Sequence, residues 1–188
     1  TAENVLRFLT FDPEYPSSIR SCVKSARENA RSVREIISSE MWEQLNEFYL
    51  QVEDAAKSTD IAELYAFYPK VKTASHLFAG VMEATMSHNE GWHCGRLGRF
   101  LERADKTARI LDVLRAASAY EMYRKCQHMI NPRGIVDFLV LHPEFPRSIR
   151  CSMLQAEQSL IKISGSPVGS WQLTSERRLG KLRSQLEY

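Results

Sequence analysis

Phe8-Leu9-Thr10-Phe11-Asp12-Pro13-Glu14-Tyr15-Pro16-Ser17-Ser18-Ile19-Arg20 returns, 130 residues later, as Phe138-Leu139-Val140-Leu141-His142-Pro143-Glu144-Phe145-Pro146-Arg147-Ser148-Ile149-Arg150. Eight of the thirteen positions are identical, and Tyr15/Phe145 keeps an aromatic. Similarity that dense at one fixed offset marks a duplicated unit. Each copy reads as a corner between helices. Phe-Leu closes one helix and Pro-Glu-aromatic-Pro makes a rigid turn. The second Pro stands at the start of the next helix, where its missing N–H costs nothing. Glu14 and Glu144 are placed to accept from the free N–H groups of that start. The repeat units fall around 5–37 and 135–164.

Outward from the corners the period is helical nearly everywhere. A helix from Pro16-Ser17-Ser18 to about Ile37 carries Ile19, Val23, Ala26, Ala30, Val33 and Ile37 on one face. Ser38-Ser39 caps a second, Glu40 to about Ala56, with Trp42, Leu45, Phe48, Tyr49 and Val52 as its buried stripe. Asp60 caps a short helix through Phe67, and Pro69 opens another to about Ser87. Asn89 caps a helix running to Val113 and beyond. Asn131-Pro132 starts one ending at Leu141, and a further helix spans Pro146 to Ser164. After the linker-like residues 165–174, Ser175 caps a last helix to about Leu186. No stretch alternates convincingly as a strand. The expected class is all-α, a helical bundle of about seven to eight helices with an internal duplication of a helix–turn–helix unit.

The 188 residues, 21.6 kDa, suffice for one self-supporting core, and 1–188 reads as a single domain. Lys and Arg number 25 against 23 Asp and Glu, a balance that argues against a nucleic-acid binder. The best apolar run, Ile135 to Leu141, is interrupted by Asp137 and is far short of the roughly 18–20 residues a membrane span needs. Thr1-Ala2-Glu3-Asn4 carries no initiator Met and no signal pattern, and reads as an interior start. Cys22, Cys94, Cys126 and Cys151 match no metal or redox spacing, and scattered Cys on helix faces are usually reduced and buried. A cytoplasmic location follows.

Residues 96–113, Arg-Leu-Gly-Arg-Phe-Leu-Glu-Arg-Ala-Asp-Lys-Thr-Ala-Arg-Ile-Leu-Asp-Val, form the charged helix. Leu97, Leu101, Ala104, Ala108 and Leu111 make a narrow apolar stripe, and Glu102–Lys106 and Asp105–Arg109 are acid-first i,i+4 pairs. Upstream, Glu90 and His93 project onto the same stripe, where a carboxylate beside an imidazole needs a partner or a shifted pKa. Glu90-x-x-His93 is also a ligand spacing of ferritin-like di-metal bundles. Those sites need a second such motif, which the chain lacks, so metal binding at Glu90 and His93 is a weak alternative. His76 and Glu83 share a face with Lys72, Ala79 and Gly80, and His76 reads as a helix-packing donor. No phosphate loop, nucleophile elbow or cofactor motif is present.

The chain resembles the bacterial alpha-E domain family, all-helical proteins of unknown function. Arg99-Phe100-Leu101-Glu102-Arg103-Ala104-Asp105-Lys106-Thr107-Ala108-Arg109-Ile110-Leu111-Asp112-Val113 looks like that family's Glu-Arg helix motif. Further matches are Phe8 to Glu14, Ser25 to Arg31, Ser39 to Glu43, Ser75 to Gly80, Tyr120 to Lys125 and Pro146 to Arg150. The resemblance implies a chain lacking its N-terminal part, because an earlier Glu-Arg helix would precede residue 1. It also implies a shortened connection after Val113. It further implies work beside ATP-grasp ligase-like or transglutaminase-like proteins in peptide or amide metabolism, with Glu102 and Arg103 as the candidate functional pair. The leading expectation is an accessory or interaction module needing no cofactor, with a protein partner and no nucleic acid or membrane. An enzyme of amide or peptide chemistry with Glu102, His76, Glu90 or His93 as acid–base groups is the alternative, and a metal-binding bundle the second. Tyr15 and Phe145, as exposed corner aromatics, offer a surface for a homo-oligomer.

Overall fold

A computed structural model describes residues 1–58, 60–118, 132–167 and 170–187. The expected match at Tyr120–Lys125 and Cys126 lie outside the described residues. Among the described residues the chain is all-helical, with eight helices: α1 (Ala2–Phe11), α2 (Ile19–Ser32), α3 (Ser39–Ala55), α4 (Ile61–Thr85), α5 (Glu90–Ser118), α6 (Pro132–Leu141), α7 (Ile149–Ser164) and α8 (Thr174–Gln185). They group into two compact units, Thr1–Ser87 and His88–Tyr188. The two corners fall one in each.

In the first unit α2 packs on α1 and α3, and α3 on α4. Val23, Val52 and Phe67 form its core, with Phe11, Ile19, Phe48, Tyr49 and Val71 around them. Arg20 bonds both carboxylate oxygens of Glu53, at 2.8 and 2.7 Å, locking α2 to α3. Two expectations are corrected here. α2 stops at Ser32 rather than Ile37, because the Ser32 hydroxyl donates to Asn29 O and competes with the ladder. Val33 and Ile36 beyond it stay exposed and reward no further turn. The helix capped by Asp60, whose carboxylate accepts from Ala62 N at 2.8 Å, does not end at Phe67. It runs through Pro69 as one α4. Leu64, Phe67, Ala74 and Met82 are all buried, and their packing outweighs the roughly 3 kcal/mol that an interior proline costs.

In the second unit α7 lies at the centre, packed on α5, α6 and α8. Phe100, Ala104, Met153, Ala156 and Leu179 form the core. The buried face of α5 differs from the expected stripe. Trp92, Phe100, Ala104 and Thr107 are buried, whereas Leu101 is 42% exposed and Ala108 also faces outward. The two bulkiest rings of the segment set the face. The cap position of α8 is Leu173 rather than Ser175, because the Glu176 carboxylate reaches back to the N–H groups of Gln172 and Leu173 at 2.8 and 2.9 Å. A Cβ on Gly180 would meet the Trp171 ring at 2.5 Å, so only glycine lets this ring lie on α8.

Charge divides between the units. The first carries 9 Lys and Arg against 13 Asp and Glu, net −4; the second carries 16 against 10, net +6. No helix among the described residues is long and apolar enough to cross a membrane.

Candidate functional site

The two corners share the same buried serine and the same acceptor position. The hydroxyl of fully buried Ser18 donates to Asp12 O at 2.7 Å and accepts from Ser21 N at 3.1 Å. Fully buried Ser148 does the same with His142 O and Cys151 N. Serine is the right residue here because one short hydroxyl joins the end of one helix to the free N–H groups of the next. Asp12 Oδ1 accepts from Glu14 N and Tyr15 N at 2.8 and 3.2 Å, and His142 Nδ1 accepts from Glu144 N and Phe145 N at 3.2 and 3.0 Å. An imidazole thus replaces a carboxylate in the same acceptor position. The expected acceptors, Glu14 and Glu144, are instead exposed. Each corner aromatic lies on its own helix, Tyr15 on Phe8 and Phe145 on Phe138, both at 4.7 Å. Tyr15 and Phe145 are therefore half-buried staples rather than exposed rings.

The Glu-Arg helix α5 meets the second corner. Arg103 Nη1 donates to Pro146 O at 3.0 Å, and Thr107 Oγ1, one turn on, donates to Arg147 O at 2.9 Å. Both carbonyls precede α7. The Arg103 guanidinium also lies 5.5 Å from the Phe100 ring. Burial, then the charges of Arg99 and Arg147, hold its pKa below the ordinary arginine value. Glu102 points the other way. It is largely exposed and pairs with Lys106 at 3.3 Å. In the first corner the corresponding carbonyl, Pro16 O, accepts from Cys22 Sγ at 3.7 Å.

The remaining candidates are dispersed. His76 and Glu83 are exposed on α4. Glu90 is exposed in the first turn of α5, where a carboxylate favours the helix dipole. His93 is half-buried, and its Nδ1 faces the interior with no hydrogen-bond partner among the described residues. Burial, reinforced by Arg96, Lys162 and His88, pushes its pKa down. Glu90 and His93 thus part company, one wet and one inward. His76 belongs to the first unit, and among the described residues of the second no hydrogen bond or ion pair joins any two of Glu90, His93, Glu102 and Arg103. No group of three His, Cys, Asp or Glu side chains among the described residues is arranged to hold a metal ion. Cys22 and Cys94 are exposed, against the expectation of burial, and Cys151 is buried.

Glu176, which sequence reasoning passed over, is the most deeply buried carboxylate described, at 2% exposure. It accepts from Leu173 N, Gln172 N and the Ser164 hydroxyl. These bonds, the Leu173 N–H first and then the Ser164 and Ser166 hydroxyls, hold its pKa at about 2. It belongs to a second Glu-Arg dipeptide, Glu176-Arg177, in which the roles reverse: the carboxylate is buried and the arginine exposed. The spacing gave no signal, because a capping box needs a hydroxyl or carboxylate three residues before the Glu and Leu173 stands there.

Neither a curated protein nor a solved structure matches the chain. The family model of Alpha-E, described as a predicted alpha-helical domain with a conserved ER motif, matches residues 1–188. With its all-helical fold and its Glu-Arg pair on the long helix α5, the chain belongs to the Alpha-E family.

Proposed function

We propose that the chain is a bacterial, cytoplasmic helical module, built on a duplicated corner unit, that acts by binding an ATP-grasp ligase-like or transglutaminase-like protein in peptide or amide metabolism. One observation carries this reading over an enzymatic one. The Glu-Arg motif divides its labour between structure and solvent, with Arg103 clamping the corner through Pro146 O and the largely exposed Glu102 pairing with its helical neighbour Lys106. Acid–base catalysis needs proton-transferring groups gathered around one reacting atom. Within the second unit, Glu90, His93 and Glu102 share no hydrogen bond or ion pair among the described residues. A binding module needs surface rather than such a cluster, and both units carry exposed Leu, Val and Ile side chains between charges.

The test is co-expression of the chain with an ATP-grasp ligase-like protein from the same genome. The expected result is a complex that survives size-exclusion chromatography, and a ligase turnover that changes when the chain is added. Absence of association by chromatography and by cross-linking, together with unchanged turnover, refutes the proposal.

A further inference from the structure

We infer that the groove between α3 and α4 is a docking site for a basic amphipathic helix of a partner protein. A cleft of about 810 Å³ opens there. Its floor is apolar. Leu64, Phe67, Val71, Ala74 and Leu77 succeed one another along α4 at steps of three and four, and Phe48 faces them from α3. The floor is well formed where Leu64, Phe67 and Ala74 are buried, and it ends in Leu77, which is 49% exposed. Along α4, residues 60–77 extend about 25 Å at 1.5 Å per residue, which suits an elongated ligand better than a compact metabolite.

The rim decides the sign of the occupant. Glu47 and Asp54 on α3, with Asp60 and Glu63 at the start of α4, present four carboxylates against one ammonium, Lys70. Lys57 lies 3.2 Å from Asp54 and offsets part of its charge. Glu47 accepts from Gln51 and Asp60 caps α4, so both carboxylates are held in place. The unit that bears the groove is itself net −4. An apolar floor under an acidic rim matches a helix with one apolar face and flanking Lys or Arg, the helix-in-groove mode of recognition. An acidic or purely apolar segment is not matched in this way. The inference rests on the reading of the chain as an interaction module and gives its partner a chemistry.

The test uses the whole chain and a fluorescent synthetic peptide of about 18 residues with Leu on one helical face and Lys on the other. Its twin carries Glu in place of Lys. The expected result is saturable anisotropy binding of the Lys peptide, weakened by salt, with the Glu peptide silent. The double reversal Glu47→Lys/Glu63→Lys weakens binding roughly tenfold or more, and Leu77→Asp weakens it severalfold. Glu40→Lys/Glu43→Lys, an equal charge change on α3 outside the cleft, leaves it within about twofold. All three variants are checked for helicity by circular dichroism, and their substituted side chains are exposed. Failure to bind the Lys peptide overturns the inference. So does equal binding of the Glu peptide, or equal loss in the two double reversals. A concentration-dependent dimer that Glu47→Lys/Glu63→Lys dissolves overturns it too, by assigning the groove to a second copy. Capture of the co-expressed ATP-grasp ligase-like protein separates the two readings. Peptide binding without ligase capture leaves the groove and removes the module's partner. Ligase capture that the Glu47→Lys/Glu63→Lys variant retains does the reverse.

Discussion

Replacing Arg103 by Ala and Glu102 by Ala, one at a time, sets the two halves of the Glu-Arg motif against each other. Arg103→Ala removes a charge-assisted bond to Pro146 O. Such bonds contribute about 1.5–3 kcal/mol, and the half-exposed position places this one near the lower end. Loss of the guanidinium over the Phe100 ring adds about 0.5 kcal/mol. The expected total is about 2 kcal/mol, or roughly 4–8 °C in Tm for a chain of this length. Glu102→Ala removes one exposed i,i+4 pair with Lys106, about 0.3–0.5 kcal/mol. Urea unfolding followed by circular dichroism at neutral pH, with the slope held common, gives both values. The reasoning is refuted if Glu102→Ala destabilises as much as Arg103→Ala. It is refuted equally if Arg103→Ala costs less than about 0.5 kcal/mol, the range of an ordinary surface substitution.

Ser18→Ala and Ser148→Ala, each deleting a buried cap, should each lower stability by about 1–2 kcal/mol in the same assay. His142→Ala should cost about 1–2 kcal/mol by removing the acceptor of two N–H groups, and His142→Asp should recover most of it, as Asp12 serves the twin corner. Glu176 ionises at about 2 in the folded chain against an ordinary value of 4.5, so its stabilisation is complete above the higher value and is lost as pH falls between the two. Glu176→Gln should flatten acid unfolding in that window. His93 has the same sign for a different cause: burial lowers its pKa from 6.5, so the unfolded chain takes up the proton first and stability falls as pH drops below that value. Urea midpoints between about pH 5.5 and 7.5 should show a shallower slope in His93→Leu than in the unaltered chain.

Much of the fold is legible in the chain because helices announce themselves locally. Ser38, Asp60 and Asn89 sit where caps are needed, and Trp92 N–H does bond Asn89 Oδ1, at 3.2 Å. What sequence cannot supply is the weight of tertiary packing against a local rule. Pro69 reads as a helix start, yet the apolar residues on both sides of it bury together and keep α4 continuous. The α5 stripe goes astray for a similar reason. Counting apolar residues favours Leu101 and Ala108, whereas the chain buries Thr107 because a carbonyl before α7 receives its hydroxyl. The Glu-Arg pair is visible as a motif, but its division of labour is not. Nothing in the local sequence tells that Pro146 O lies beside Arg103, 43 residues away. His142 is the hardest case, since a histidine in place of Asp12 reads as a departure from the repeat and proves to preserve its acceptor.

The unequal sharing of charge between the two units alters what the isoelectric point means. A chain of pI 8.3 and net charge +2 looks almost neutral from afar. Ionic screening confines electrostatic influence to about 10 Å at 0.1 M salt. At that range a molecule in contact with one unit answers to that unit's own charge, −4 or +6, more than to the whole-chain sum. The protein should accordingly be retained by both anion and cation exchangers at neutral pH and low salt. Whole-chain neutrality therefore loses its force as a guide to partners: each half chooses by its own sign.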